Sequence, residues 1–296
     1  MRKVDYLDTN ELTAQQLSDM MNLAAALKAS VRAGYYPALL KKKCVGLMLP
    51  DAPPLYAAAA ETAVHQLGGH VSQFSLPLEP PARLRETAAL LSRTFDLAVV
   101  RCERHEALLA LAKYAEIPIV NAGSGHARPV QELADLVTMF ERLPAEKKLD
   151  ECKAVFAGGD GPACASALYL CTKIGMPFVQ YCSDKAQELK PPVLKLAERN
   201  VKRSGGTYTV TANGAEAFRA ADFLFMDAPI DERVPPDAEG VLRVDPAENR
   251  LAAFRALFTS LLYENPADRE PILIEKIKRT LAVKLQAIFG YGDTAE

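Results

Sequence analysis

Tryptophan is absent from this 296-residue sequence, aromatic residues make up only 7%, and there are four histidines. None of those histidines (His65, His70, His105, His126) stands in a Ser/His/Asp or Cys/His spacing that would mark a nucleophilic site. Neither charge is in excess: 35 Lys and Arg oppose 37 Asp and Glu, interspersed along the chain, which argues against a nucleic-acid or membrane surface. No apolar run approaches the roughly 20 residues that span a bilayer, and the opening MRKVDYLDTNELTAQQ lacks an apolar stretch behind its basic residues. A cytoplasmic protein with small-molecule or protein partners is expected. The six cysteines (Cys44, Cys102, Cys152, Cys164, Cys171, Cys182) form no C-x-x-C pair and have no histidine at zinc-ligand spacing. Reduced, structural thiols are therefore expected, with no metal and no cofactor.

What is present is a large apolar fraction, 49%, enough to bury a sizeable core and to form two domains. TAQQLSDMMNLAAALKAS opens with a capping box from Thr13 and Gln16, and its Leu17, Met20, Met21, Leu23, Ala24 and Leu27 form one apolar face. Short apolar runs then alternate with helical segments: CVGLML, helix 54–67, HVSQFS, helix 81–93, DLAVV, helix 104–115, PIVNA, helix 129–142. After the charged connector RLPAEKKLDE the alternation restarts with KAVFAGG, helix 162–174, PFVQYC, helix 191–204, TYTV, helix 213–220 and DFLFMD. This pattern specifies α/β architecture with parallel sheets in both halves. APIDERVPPDAEG reads as loop, and two helices close the chain, the last amphipathic through Ile272, Ile274, Ile277, Leu281, Leu285 and Ile288.

A strand followed by a helix N-terminus is a natural anion site, because free amide groups and the helix dipole point there. In LMLPDAPPLYAAAAETAVHQLGGHV that turn offers Asp51, Ala52, Pro53, Pro54 and Leu55. Two prolines withhold donors, Asp51 adds negative charge, and no hydroxyl or guanidinium stands in the turn. GGDGPACAS invites a dinucleotide reading, but Cys164 occupies the third glycine position, so Gly158, Gly159 and Gly161 read as a tight strand–helix turn. The loop NAGSGHARPVQ is more promising: His126, Arg128 and Gln131 lie there, and Arg101 ends the preceding strand. Two guanidiniums at neighbouring strand ends would favour a phosphate or carboxylate. The alternative is a pair of surface arginines bonded to Glu103, Glu106 or Glu132.

Four stretches in order, ETAVHQLGGHV, IPIVNAGSGHARPVQELADLVTMFE, GGTYTVTANGAEAFRAADFLFMD and DPAENRLAAFRALFTSLL, resemble the aspartate/ornithine carbamoyltransferase superfamily, and its ornithine branch most. The resemblance runs from about residue 5 to 264. It implies two doubly wound parallel-sheet domains of the carbamoyltransferase type, over 1–143 (like the carbamoyl-phosphate-binding domain) and 144–245 (like the amino-acid-binding domain). A helix over 246–264 returns to the first domain, and 265–296 is a C-terminal helical extension. A homotrimer-based assembly is also implied.

Against the family's motifs the site residues thin out. Counting back without a gap from Gly68-Gly69, the phosphate-binding Ser-Thr-Arg-Thr-Arg falls on Pro53, Pro54, Leu55, Tyr56 and Ala57. The His-Pro-x-Gln motif falls on Arg128-Pro129-Val130-Gln131, with His126 two residues away as a substitute, and Arg101 matches a phosphate-binding arginine. Gly159-Asp160-Gly161 is followed by Pro162 and Ala163 instead of an Asn pair; Asp227 matches the acceptor-binding aspartate, but IDERV replaces the Ser-Met-Gly that should follow; and His-Cys-Leu-Pro is absent from PPDAEGVLRVDP. Each charge-assisted hydrogen bond to phosphate is worth about 1.5–3 kcal/mol, so losing several removes many orders of magnitude in affinity. The expected function is a family member that binds a small anion or amino acid, or acts as a regulatory homologue, without standard carbamoyl transfer. Its candidate residues are Arg101, His126, Arg128 and Gln131 for the anion and Asp227 for the acceptor. The alternative is an active transferase moving a carbamoyl group from carbamoyl phosphate to an amino acid such as ornithine through a rebuilt site. A protein partner docking on the C-terminal helix is a third expectation.

Overall fold

The first parallel sheet forms because β1 (Cys44–Met48), β3 (Leu97–Arg101) and β4 (Ile119–Gly123) are runs of apolar residues whose two faces are both covered. Alternate residues of β3 show this directly: Leu97 and Val99 belong to one buried cluster, Ala98 and Val100 to another on the opposite face. With β2 (His70–Gln73) at the edge, the strand order is β2-β1-β3-β4, all parallel. The helices between them are α2 (Pro54–Gln66), α3 (Leu84–Thr94), α4 (His105–Tyr114) and, after β4, α5 (Pro129–Glu141). This computed structural model describes residues 3–76, 78, 83–143, 146–182, 184–226, 240–245, 247–263 and 273–280.

Ahead of the sheet runs α1 (Ala14–Arg32), whose expected capping box is present: the Gln16 N–H donates to Thr13 Oγ1 at 3.1 Å and the Thr13 N–H to Gln16 Oε1 at 2.8 Å. The segment before it pairs Tyr6 in parallel with Val120, and Asn121 Nδ2 donates to the Leu7 carbonyl at 2.9 Å. The N-terminal segment thus adds a single parallel bridge at the outer edge of β4.

The second sheet has the order β7-β6-β5-β8-β9, again parallel, from β5 (Ala154–Ala157), β6 (Phe178–Tyr181), β7 (Tyr208–Thr211), β8 (Phe223–Met226) and β9 (Leu242–Arg243). Its helices are α6 (Pro162–Lys173), α7 (Pro191–Ser204) and the short α8 (Gly214–Phe218). The strand β9 was not expected: two residues carry no periodicity, and only pairing with β8 defines it. The helix α9 (Arg250–Leu262) packs on α1, α2 and α5 of the first half. A single buried cluster runs from Leu17 and Val45 through Phe156 and Tyr169 to Phe254 and Phe258. Leu273 and Ile277, in a helical stretch over 273–280, join that cluster, so this part of the extension packs on its own chain. Ile272, Leu281, Leu285 and Ile288 lie outside the described residues.

All six cysteines are free thiols, and Cys164 and Cys171 are buried on α6. Gly46 on β1 lies under a stacked pair, Phe74 and Phe95, with ring centroids 5.2 Å apart. A Cβ there would stand 2.7 Å from Phe95 Cδ2 and 2.9 Å from Phe74 Cε1. Gly46→Val should destabilise the fold by about 1–3 kcal/mol, read as a lower urea midpoint at unchanged slope.

Candidate functional site

In the first sheet β2 lies on one side of β1 and β3 on the other, so the strand order reverses between β1 and β3. Open α/β sheets hold ligands outside the carboxyl ends of strands at such a reversal. Three adjoining cavities open there. One of ≈ 170 Å³ is bounded by Asp51, Arg101, Glu103, Ser124 and Arg128, among others. A second, ≈ 310 Å³, lies among Pro53, Tyr56, Arg101, Arg128, Gln131 and Arg250. The third, ≈ 140 Å³, reaches the second sheet and includes Arg128, Gln131, Asp135, Ser166 and Met226.

Each guanidinium arrives by a different route. The β3–β4 register slips between Val100 and Arg101, so that Arg101 pairs with Gly123, and such a bulge re-aims the side chain at the strand end. Gly123 sits at φ +139°, and a Cβ there would lie 3.1 Å from Arg101 Nη1 and 4.0 Å from Arg128 Cγ. Only glycine suits that conformation and leaves room for both arginines. Arg128 is the residue before α5, its backbone N–H donating to Ser166 Oγ of α6 at 2.8 Å. Arg250 starts α9, donates from Nε and Nη2 to Gln131 Oε1 at 3.2 and 2.9 Å, and lies 4.8 Å above the Tyr56 ring. Gln131 in turn donates from Nε2 to Asp135 Oδ1 at 2.7 Å.

The start of α2 is built as the sequence implied. Pro53 precedes it with no side-chain cap, Pro54 is its first residue, and Asp51 stands before them in the left-handed region at φ +56°. Tyr56 is buried, its hydroxyl donating to the Ala122 carbonyl at 2.9 Å and its ring edge-on to Phe254 at 5.4 Å.

Residues 4–141 match the family model described as aspartate/ornithine carbamoyltransferase, carbamoyl-P binding domain. An ornithine carbamoyltransferase of Caldicellulosiruptor saccharolyticus is 31% identical over 225 residues, 75% of this chain and 72% of the relative. The chain belongs to the aspartate/ornithine carbamoyltransferase family. A putrescine carbamoyltransferase of Mycoplasma capricolum is 29% identical over 272 residues, 87% of this chain and 71% of that one. Among solved structures, ornithine carbamoyltransferase from Gloeobacter violaceus superposes with a TM-score of 0.76 at 26% identity, covering 88% of this chain and all of the other. The enzyme from Pyrococcus furiosus gives 0.77 at 24% identity over 88% and 96%, a likeness of fold.

Within this carbamoyltransferase fold, the structure brings Arg101, Arg128 and Gln131 together and sets His126 apart. His126 Nε2 lies 3.2 Å from Asp8 Oδ2, and its ring is tilted by 34° to that of His105 with centroids 4.6 Å apart, Tyr169 lying at 6.0 Å. The N-terminal segment supplies a carboxylate that pairs with the imidazole, and His126 lines none of the three cavities. The hydrogen bond with Asp8 raises the His126 pKa, while burial and then His126 lower that of His105. Glu132 is no surface partner for the arginines either: it is buried. Among the described residues no hydrogen bond or ion pair engages the Arg101 guanidinium. Asp227 lies outside the described residues.

Sequence reasoning missed Arg250 and Asp135 and weighed Glu132 only as a surface partner. The sequence carried no signal for them: on PVQELADLVTMFE the polar residues Gln131, Glu132, Asp135 and Thr138 share one flank that reads as a solvated face, yet the fold buries Glu132, Asp135 and Thr138. Burial pushes Asp135 up to about 7 against the pull of Gln131 and Arg250. Glu132 is pushed up to about 8, first by burial and then by Asp8; Thr9 and Ser166 offer only weak hydroxyl contacts, and neither carboxylate oxygen meets a donor of ordinary geometry. A carboxyl whose folded pKa exceeds its unfolded value stays neutral in the fold, so the folded state binds more protons and stability falls as pH rises. The window runs from 4.5 to about 8. Glu132→Gln should flatten that fall, by at most about 1.4 kcal/mol per pH unit, in denaturation curves collected from acid to mildly alkaline pH.

Proposed function

We propose that this carbamoyltransferase-family protein binds a small ligand bearing a carboxylate or phosphate on Arg101 and Arg128, without the standard transfer from carbamoyl phosphate to ornithine or aspartate. The start of α2 carries this reading. Pro53 and Pro54 withhold amide donors, Asp51 brings a carboxylate into the compartment of Arg101 and Arg128, and the Tyr56 hydroxyl is committed to a backbone carbonyl. Transfer from an acyl phosphate rests on orientation and charge stabilisation of the leaving phosphate, which that turn does not supply. The same reading holds the protein to be cytoplasmic and trimeric, as the resemblance implies; light scattering tests the second point.

A second reading, active transfer through a rebuilt donor site, is favoured by two observations. The most similar relatives described above are named ornithine and putrescine carbamoyltransferases. Tyr56 also leaves an open volume of ≈ 310 Å³ beside Arg101, Arg128 and Arg250.

Thermal unfolding with millimolar carbamoyl phosphate, inorganic phosphate, ornithine and putrescine, followed by an assay for the carbamoylated amine, separates the two. Ligand at a hundred times its Kd stabilises by about 2.7 kcal/mol and raises Tm by several degrees. We expect such a shift from at least one anionic ligand, lost in Arg101→Ala, and no carbamoylated product. Product that disappears in Arg101→Ala would establish the second reading. Shifts that survive Arg101→Ala would remove the cleft from both.

A further inference from the structure

The compartment at the ends of β1 and β3 contains charge of both signs. Arg101 and Arg128 supply two cations, and Asp51 and Glu103 two anions, around the same ≈ 170 Å³. Among the described residues, the neighbouring compartment beside Tyr56 is lined by Arg101, Arg128 and Arg250 and by no carboxylate. The described acids therefore lie at one end of a cleft whose guanidiniums continue to the other. Their placement has separate structural causes. The Glu103 backbone is held by Gly125, whose N–H donates to the Glu103 carbonyl at 2.9 Å, and its exposed carboxylate passes Gly125 so closely that a Cβ there would lie 2.9 Å from Oε1. Asp51 holds a left-handed backbone conformation that glycine or asparagine would adopt as easily, so the turn does not itself require a carboxylate.

Among the described residues of this compartment the charged side chains are these two cations and two anions. A phosphate dianion placed on the guanidiniums meets two opposing carboxylates and gains little net field, whereas a ligand with an anion at one end and an ammonium at the other matches both groups. Asp135, the acid of the third compartment, already accepts from Gln131.

We propose that this compartment recognises a zwitterionic ω-amino carboxylate, its carboxylate on Arg101 and Arg128 and its ammonium on Asp51 and Glu103. The recognition takes place at the end of the first sheet, where the strand order reverses, and uses no residue of the second sheet. It deepens the ligand-binding reading above and rests on it.

The test is calorimetric titration with unbranched ω-amino carboxylates of three to six carbons, each against the carboxylate of equal length, with inorganic phosphate alongside. The proteins are the wild type, Arg101→Ala, and the double variant Asp51→Asn, Glu103→Gln, in which asparagine keeps the left-handed turn at ease. At least one amino carboxylate should bind about tenfold more tightly than its matched carboxylate. The double variant should erase that difference and strengthen phosphate binding, and Arg101→Ala should weaken every probe. If no amino carboxylate outbinds its matched carboxylate, or if the preference survives in the double variant, the zwitterion assignment fails while anion binding stands. If Arg101→Ala leaves every affinity unchanged, both assignments fail.

Discussion

Helix α5 is buried from Pro129 to Met139 apart from Gln131, and each polar group on it must be satisfied inside the protein. Most are. Gln131 is held between Arg250 and Asp135, Thr138 Oγ1 donates to the Ala134 carbonyl and accepts from Asn249, and Glu141 receives Lys28 and Asn249. The N–H that opens the helix reaches Ser166 in the second half. These bonds lock α5 to α1, α6 and α9 at once, so the cleft inherits its geometry from the core and not from a loop. Glu132 is the exception, a carboxyl with no ordinary donor, and it makes the same helix the point at which proton binding and folding are coupled.

The guanidiniums of the cleft are placed by backbone irregularities. A register slip aims Arg101, a glycine in a conformation closed to other residues makes room beside it, and the turn into α5 places Arg128. Asn121, fully buried, ties these together: it donates to the Leu7 carbonyl and accepts from the Gly123 N–H at 2.9 Å. In many α/β proteins a helix N-terminus would hold an anion with amides. Here the groups gathered at the strand ends are side chains, and side chains of both signs can be placed where amides offer only one.

The fold was largely legible because periodicity and caps report on local structure. Thr13 with Gln16, the apolar runs of β1, β3 and β4, and Pro129 and Pro162 at helix starts all fell where the pattern put them. The two-residue β9 has no pattern of its own and exists only by pairing with β8. In the candidate site, Arg101, Arg128 and Gln131 could be found because they cluster at neighbouring strand ends. Arg250 could not, since it is about 120 positions from Gln131 and meets it only once α9 has docked. The contact of His126 with Asp8 was hidden for a similar reason: Asp8 is 118 positions away, in a segment whose sequence gives no sign of passing over the β4–α5 loop.

The docking of α9 on α1, α2 and α5 also has a consequence for biosynthesis. The ribosome releases the first sheet and its helices, then the whole of the second sheet, before the residues that cover the first half emerge. Phe254, Leu257 and Phe258 are fully buried in the finished protein, so their counterparts on α1, α2 and α5 stay uncovered while more than a hundred residues are added. Long-range closure of this kind is slow to form and leaves apolar surface open to non-native contacts meanwhile. The nascent first half is therefore a natural client for chaperones that shield apolar surface, and a chain stopped short of α9 would reach the cell with its inner face exposed.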